Sequence, residues 1–339
     1  MKKMIALLLA LMTAVGMLAG CAKQNDDDTN TTTDELRIVT TIFPAYDWVK
    51  AVLGDQADYA DITMLLDNGV DLHSYQPTAD DIVKISDCDL FIYVGGESEG
   101  WVEDALKNSA NKDRKVINLL DVLGDSVKSE EVVEGMQEEA HEHEEGEAHE
   151  DGEAHEHEHE EESDEHVWLS LKNAEVLVGA ISNALQELDA ENMEIYAENA
   201  DAYVKKLSVL DAEYQTAVDN ATCKTVLFGD RFPFRYLVDD YGLNYYAAFV
   251  GCSTETEASF ETISFLAKKI DELKLPCVLT IEGKHHKIAE TIVKNTAQKS
   301  QKILTMDSMQ STTSKDVASG TTYLSVMEKN LAVLKEALG

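Results

Sequence analysis

The sequence predicts an α/β protein of two parallel-sheet lobes with flanking helices, joined by one long helix. Three observations carry this expectation. Eight short runs of β-branched and aliphatic residues alternate with helix-length stretches, four runs in each half of the chain. Such alternation argues for parallel strands with helical crossovers. The stretch from Ala190 to Ala221, which separates the two sets, contains neither Pro nor Gly and reads as a single helix. After the N-terminal segment about 300 residues remain, enough for two domains.

The segments follow in chain order. Residues 1–20 read as a signal peptide: Lys2 and Lys3 precede an uncharged apolar run from Met4 to Ala19, and small residues lead up to Cys21. The run is short for a helix that stays in a bilayer. Leu18-Ala19-Gly20 before Cys21 resembles a bacterial lipobox, which implies cleavage before Cys21 and a diacylglycerol on its sulfur. That places the mature chain outside the cytoplasm, anchored to the cell membrane. Residues 21–35 include three consecutive acids and, before Leu36, no large apolar residue, so a disordered tether is expected.

The first lobe is assigned to 36–128, with strand-like runs at 37–43, 60–66, 89–95 and 115–121. Residues 166–189 return to it with a helix over 173–188 that aligns Val176, Leu177, Ala180, Ile181, Ala184 and Leu188 on one face. The linking helix takes 190–221. The second lobe takes 222–339, with runs at 225–230, 245–250, 277–282 and 302–307 and a closing helix. Two such lobes face each other across a cleft, and in open parallel sheets ligands sit at the carboxyl ends of the strands.

Between the first-lobe segments, residues 129–165 hold 19 Asp or Glu and no Lys or Arg, so about half of the formal net charge of -37 is local to this stretch. The acidity argues against a nucleic-acid partner and favours cations. Six of the ten histidines lie here: His141, His143, His149, His155, His157 and His159. Interleaved with Glu and Gly they have nothing to pack against, so the segment is expected to be disordered and to collect Zn²⁺ weakly beside the cleft. His155-Glu156 with His159 matches the HExxH signature of zinc peptidases. That motif needs a stable helix and a third ligand, and like-charged spacing with flanking Gly argues against both, so no enzyme activity is expected.

Four cysteines besides Cys21 are scattered along the chain, which excludes a paired-CxxC zinc module and a small disulfide scaffold. Cys223 and Cys277 both stand at the start of second-lobe strands. They would form a disulfide if those strands are neighbours, with free buried thiols as the alternative. Cys252 follows its strand and lies at the opposite end.

His73 occurs in NGVDLHSYQPTADD, a tight connection after a strand. His166 occurs in SDEHVWLSLKNAE, where the acidic segment ends. Either alone is an ordinary loop histidine. Together with TTIFPAYDWVKAV and SGTTYLSVMEKNLAVLKEALG, these stretches resemble the metal receptors of bacterial ABC importers for zinc and manganese. The resemblance covers nearly all of 36–339. It implies a monomeric solute-binding protein that clamps an ion in the interlobe cleft and delivers it to a membrane permease. It also implies metal ligation by His73 and His166, by Asp230 in VLFGDRFPFRYLVDDYGL as third ligand, and by Asp307 in ILTMDSM as fourth. Asp230 stands one residue further from the Phe-x-Tyr step than is usual for that family, and His285, His286 and Glu282 remain alternatives. The bland role for both aspartates is helix capping. Two imidazoles and two carboxylates suit tetrahedral Zn²⁺ and are acceptable to Mn²⁺. The rival functions are a manganese-preferring receptor, a secreted zinc hydrolase and a metal-binding adhesin.

Overall fold

The computed structural model describes residues 35–107, 109–137, 162–253, 257–283 and 285–339. In the first lobe β1 (Leu36–Thr40), β2 (Ala60–Met64), β3 (Leu90–Tyr93) and β4 (Lys115–Asn118) form a parallel sheet in the order β2-β1-β3-β4. In the second, β5 (Thr225–Phe232), β6 (Asn244–Val250), β7 (Cys277–Thr280) and β8 (Lys302–Thr305) repeat the order as β6-β5-β7-β8, again parallel. In each sheet the strand order reverses next to the first strand. That opens a crevice at the carboxyl ends, which is where such sheets hold ligands.

The helices are set by local signals. α1 (Phe43–Leu53) carries Pro44 in its first turn and buries Trp48, Val49 and Val52 against β1. α2 (Ala79–Asp87) opens with a capping box between Thr78 and Asp81. The short helices α3 (Val102–Lys107) and α4 (Leu119–Leu123) flank β4, and α5 (Leu171–Leu188) begins on the Ser170 cap. The linking helix α6 (Met193–Asp219) has 27 residues, so it is about 40 Å long. Tyr196, Ala200, Tyr203, Leu207, Leu210, Tyr214 and Val218 recur three or four residues apart along its buried stripe.

In the second lobe α7 (Arg235–Tyr241) follows β5, and α8 (Phe260–Leu273) and α9 (Lys287–Asn295) cover a small core of their own with Leu227, Val278 and Ile292. After the short α10 (Ser314–Ala318), α11 (Tyr323–Leu338) closes the chain. Tyr323 ties α11 to the first lobe: its backbone N–H donates to Asp47 at 2.9 Å and its hydroxyl to the Trp168 carbonyl at 2.7 Å. Trp168 Nε1 in turn donates to the Ser308 carbonyl at 2.9 Å, so the turn that follows His166 is fixed to the second lobe.

Two findings differ from the sequence expectations. The acidic stretch 129–165 is part of the fold at both ends. Ser129 and Ser163 form an antiparallel bridge, Gln137 N–H donates to the Ala248 carbonyl at 3.0 Å, and Met136, Asp164 and Glu165 are buried. Met136 gives the N-terminal end an apolar anchor, and backbone pairing with the opposite end does the rest. The intervening 138–161, with His141, His143, His149, His155, His157 and His159, and the lipobox with Cys21 lie outside the described residues.

The second difference concerns the thiols: Cys223 and Cys277 are free, as are Cys88 and Cys252. β5 and β7 are neighbours, but Phe228 pairs with Leu279, which sets Cys277 level with Val226. Cys223 stands three residues earlier, about 10 Å along the strand direction and beyond disulfide reach. Among the described residues no helix is long and apolar enough to cross a membrane.

Candidate metal centre

His73 sits on a short 3-10 turn, Leu72–Ser74, between β2 and α2, and its side chain is 4% exposed. His166 opens another such turn before α5 and is fully buried. The two stand 93 positions apart in the chain, His166 directly after the acidic segment and His73 well before it, yet their Nε2 atoms lie 3.2 Å apart.

The outer nitrogens are both held. Asp164 Oδ1 accepts from the His166 backbone N–H at 2.9 Å and lies 2.9 Å from His166 Nδ1. An oxygen already accepting from a backbone donor takes the ring proton too, which puts that proton on Nδ1 and leaves Nε2 as a lone pair. His73 Nδ1 contacts Ser98 Oγ at 2.8 Å and Glu165 Oε2 at 3.5 Å. Glu165 is itself fixed by the Ser98 N–H, 2.8 Å from its other oxygen. Burial pushes the Glu165 carboxyl up from its usual range, and its Oε2 has no hydrogen-bond partner. Asp164 thus fixes the His166 tautomer and aims its Nε2 lone pair at Nε2 of His73.

That juxtaposition has a chemical meaning. Two imidazoles whose Nε2 atoms are both unprotonated repel at 3.2 Å unless a cation stands between them. Two nitrogens bound to a tetrahedral zinc at about 2.0–2.1 Å stand about 3.3 Å apart. The observed 3.2 Å is close to that edge length. Burial, followed by repulsion from His166, lowers the His73 pKa to about 3, so His73 remains neutral in the metal-free protein far into acid.

Two glycines make the close packing possible. A side chain at Gly96, where φ is +82°, would run into the Glu165 carboxylate. A side chain at Gly251 would lie 2.9 Å from His166 Cε1, so only a residue without Cβ lets the end of β6 pass over the ring. The next residue is Cys252. Among the described residues, His73, His166 and Cys252 form a group whose ligand atoms all lie within 4.8 Å of one another. Burial, reinforced by Glu130, Asp164 and Glu165, pushes the Cys252 thiol far above its ordinary pKa.

Asp230 and Asp307 are not brought into this group. Asp230 accepts from Arg231 N–H at 2.9 Å and Ile281 N–H at 3.3 Å, and Asp307 accepts from Met309 N–H at 2.8 Å. Burial raises both carboxyls, that of Asp307 to about 6, with the neighbouring Glu282 adding to the effect. Glu282 is committed to Ser308 N–H and Oγ, both at 2.7 Å. His285, His286 and Glu282 line a cavity of about 720 Å³ with Asp230 and Asp71. Arg231, at the spacing the sequence resemblance leads one to expect for a ligand, is a permanent cation. It donates to Asp71 at 2.8 Å and to the Ser253 carbonyl at 3.2 Å, bridging the His73 loop and the Cys252 loop.

The residues that sequence reasoning missed are Cys252, Asp164 and Ser98. Cys252 carried a signal: it follows β6 at a carboxyl end, the same locus that drew attention to the other candidates. Asp164 and Ser98 carried none, because their roles depend on which loops meet.

Comparison with known proteins bears on the fold and the family. The family model described as zinc-uptake complex component A, periplasmic (ZnuA), matches residues 38–337. The zinc-binding lipoprotein AdcA of Streptococcus pneumoniae is 33% identical over 334 residues, 98% of this chain and 61% of its own. The chain thus spans about three-fifths of the length of that relative. The high-affinity zinc uptake system protein ZnuA of Bacillus subtilis is 31% identical over 305 residues, 90% of this chain and 88% of its own. The crystal structure of the Zn(II)-bound ZnuA-like domain of Streptococcus pneumoniae AdcA superposes with a TM-score of 0.66 at 30% identity, covering 90% of this chain and 99% of that one.

Proposed function

The chain belongs to the family of periplasmic zinc-uptake component A (ZnuA) proteins, and on that premise we propose that it is the extracytoplasmic receptor of an ABC importer. It captures Zn²⁺ between its lobes and delivers it to a membrane permease formed by other chains. Anchoring through a lipidated Cys21 and weak collection of zinc by the six histidines of 138–161 belong to the same proposal. The ion is cargo, so the reading includes no catalytic step.

One observation carries it: Nε2 of His73 and Nε2 of His166 face each other at 3.2 Å while both Nδ1 atoms are occupied. Buried imidazoles in that arrangement are poor neighbours for each other and good ligands for a divalent ion. Their placement on loops at the mouth of the crevice lets relative movement of the lobes open and close the site. Binding a buried ion this way releases it only when the lobes part, as delivery to a permease requires.

Calorimetric titration of the purified protein with Zn²⁺ tests the proposal. One tight ion per chain, lost in both His73→Ala and His166→Ala while the metal-free variants remain folded, is the expected result. Retention of the tight ion in either variant would refute it.

A further inference from the structure

Resting on the receptor reading, the geometry points to Cys252 as the third ligand of the cleft ion, giving a His2Cys site whose thiolate selects zinc over manganese. The sulfur belongs to the same group as the two imidazoles, every ligand atom within 4.8 Å of the others. In a tetrahedral site with Zn–N of about 2.05 Å and Zn–S of about 2.3 Å, nitrogen and sulfur stand about 3.6 Å apart. Contraction by at most about 1.2 Å therefore completes a face of the polyhedron.

The sulfur is also held for the task. Cys252 N–H donates to Glu130 at 2.9 Å, so the start of the acidic segment steadies the ligand's backbone. Gly251 seats the chain directly on the His166 ring, and on the far side the Ser253 carbonyl is gripped by Arg231. The loop is thereby fixed on both flanks of the thiol. Its ligand comes from the second lobe and the imidazoles from the first, so the ion itself ties the lobes together.

The chemistry of the third donor decides selectivity. Two imidazoles already favour Zn²⁺ over Mn²⁺, but added carboxylates would keep Mn²⁺ acceptable. A thiolate is a soft ligand that favours Zn²⁺ and disfavours Mn²⁺. On binding, the thiol proton leaves to solvent and the sulfur lone pair goes to the ion, so one proton is released at this residue per ion taken up. The resulting shell carries one negative charge and not the two of a dicarboxylate site.

Cobalt(II) loading of the purified protein tests this. The wild type is expected to show tetrahedral d–d bands together with a thiolate-to-cobalt charge-transfer band. In Cys252→Ser the charge-transfer band disappears and zinc affinity falls at least 100-fold, while the metal-free melting temperature stays close to that of wild type. Cys252→Asp lowers the Zn²⁺/Mn²⁺ affinity ratio at least tenfold. Zinc-edge X-ray absorption on the wild type needs no variant to fold, and should find one sulfur neighbour at about 2.3 Å. Tight binding with no sulfur neighbour, or a charge-transfer band that survives in Cys252→Ser, would overturn the assignment and leave the receptor reading standing. Failure of the wild type to bind Zn²⁺ or Co²⁺ tightly at all would overturn both.

Discussion

Asp164 Oδ1 holds His166 twice, accepting from its backbone N–H and standing 2.9 Å from its ring Nδ1. One carboxylate oxygen thus fixes the ring's position, orientation and tautomer. Removing such an orienting group costs about 10–100-fold in metal affinity. Asp164→Ala should weaken zinc binding by that factor, with partial recovery in Asp164→Asn, whose amide oxygen still accepts. Competition titration against a chromophoric chelator measures the difference, and equal affinity in wild type and Asp164→Ala would remove Asp164 from the site.

Arg231 is expected to matter through the loops it joins. Its guanidinium binds Asp71 and the Ser253 carbonyl, and although burial acts to raise the Asp71 pKa, Arg231 keeps that carboxyl below its usual range. Arg231→Gln should cost about 1–3 kcal/mol of stability, the worth of a charge-assisted pair in a half-buried setting. Zinc should also dissociate several-fold faster, because the Cys252 loop loses a tether. Stopped-flow release into excess chelator reads the rate and thermal melting reads the stability.

Asp230→Asn and Asp307→Asn should change zinc affinity less than about fivefold, since each carboxylate accepts from backbone donors and neither joins the His73, His166 and Cys252 group. A loss of 100-fold in either variant would mean that the lobes rearrange to bring that carboxylate to the ion.

How much of this was legible in the sequence follows from what each feature depends on. All eight strands and the long helix were readable, because alternating and 3.6-residue periodicities are local properties. His73 and His166, which the structure brings within 3.2 Å, were singled out by their sequence contexts. The surroundings of the two aspartates were not readable: Asp230 lies inside β5 and Asp307 just after β8, and the neighbouring backbone N–H groups of Arg231, Ile281 and Met309 donate to them. Cys252 reaches the site only because Gly251 lets the β6 end lie on His166, a contact between residues 85 positions apart. The ends of the acidic segment were hidden by composition, since Met136 and a few backbone bonds outweigh the charge around them.

Stability should depend on pH with opposite signs at two buried groups. His73 has its pKa lowered to about 3 by burial and by His166, so its contribution is present above about pH 6.5 and is lost as pH falls toward 3. Glu99 has its pKa raised to about 7 by burial, with Glu165 adding to the shift, so its contribution is present in acid and lost as pH rises through 7. Glu99→Gln should therefore raise the melting temperature of the metal-free protein by a few degrees at pH 8 and by almost nothing at pH 4. His73→Gln should flatten the acid limb. An unchanged profile in Glu99→Gln would contradict the buried-acid account.

Deleting 138–161 should leave one tight zinc ion and remove the weaker ones. The wider deletion of 130–162 should also weaken the tight site, because it removes Glu130, the acceptor for Cys252 N–H. Titrating both deletions side by side separates the collector from the scaffold.

The central claim, that His73 and His166 converge on one divalent cation, is tested most directly by a zinc-edge anomalous difference map from crystals of the loaded protein. One dominant peak about 2.0–2.1 Å from Nε2 of both residues is the predicted result. A dominant peak elsewhere, with the two imidazoles still facing each other and no ion between them, would contradict it.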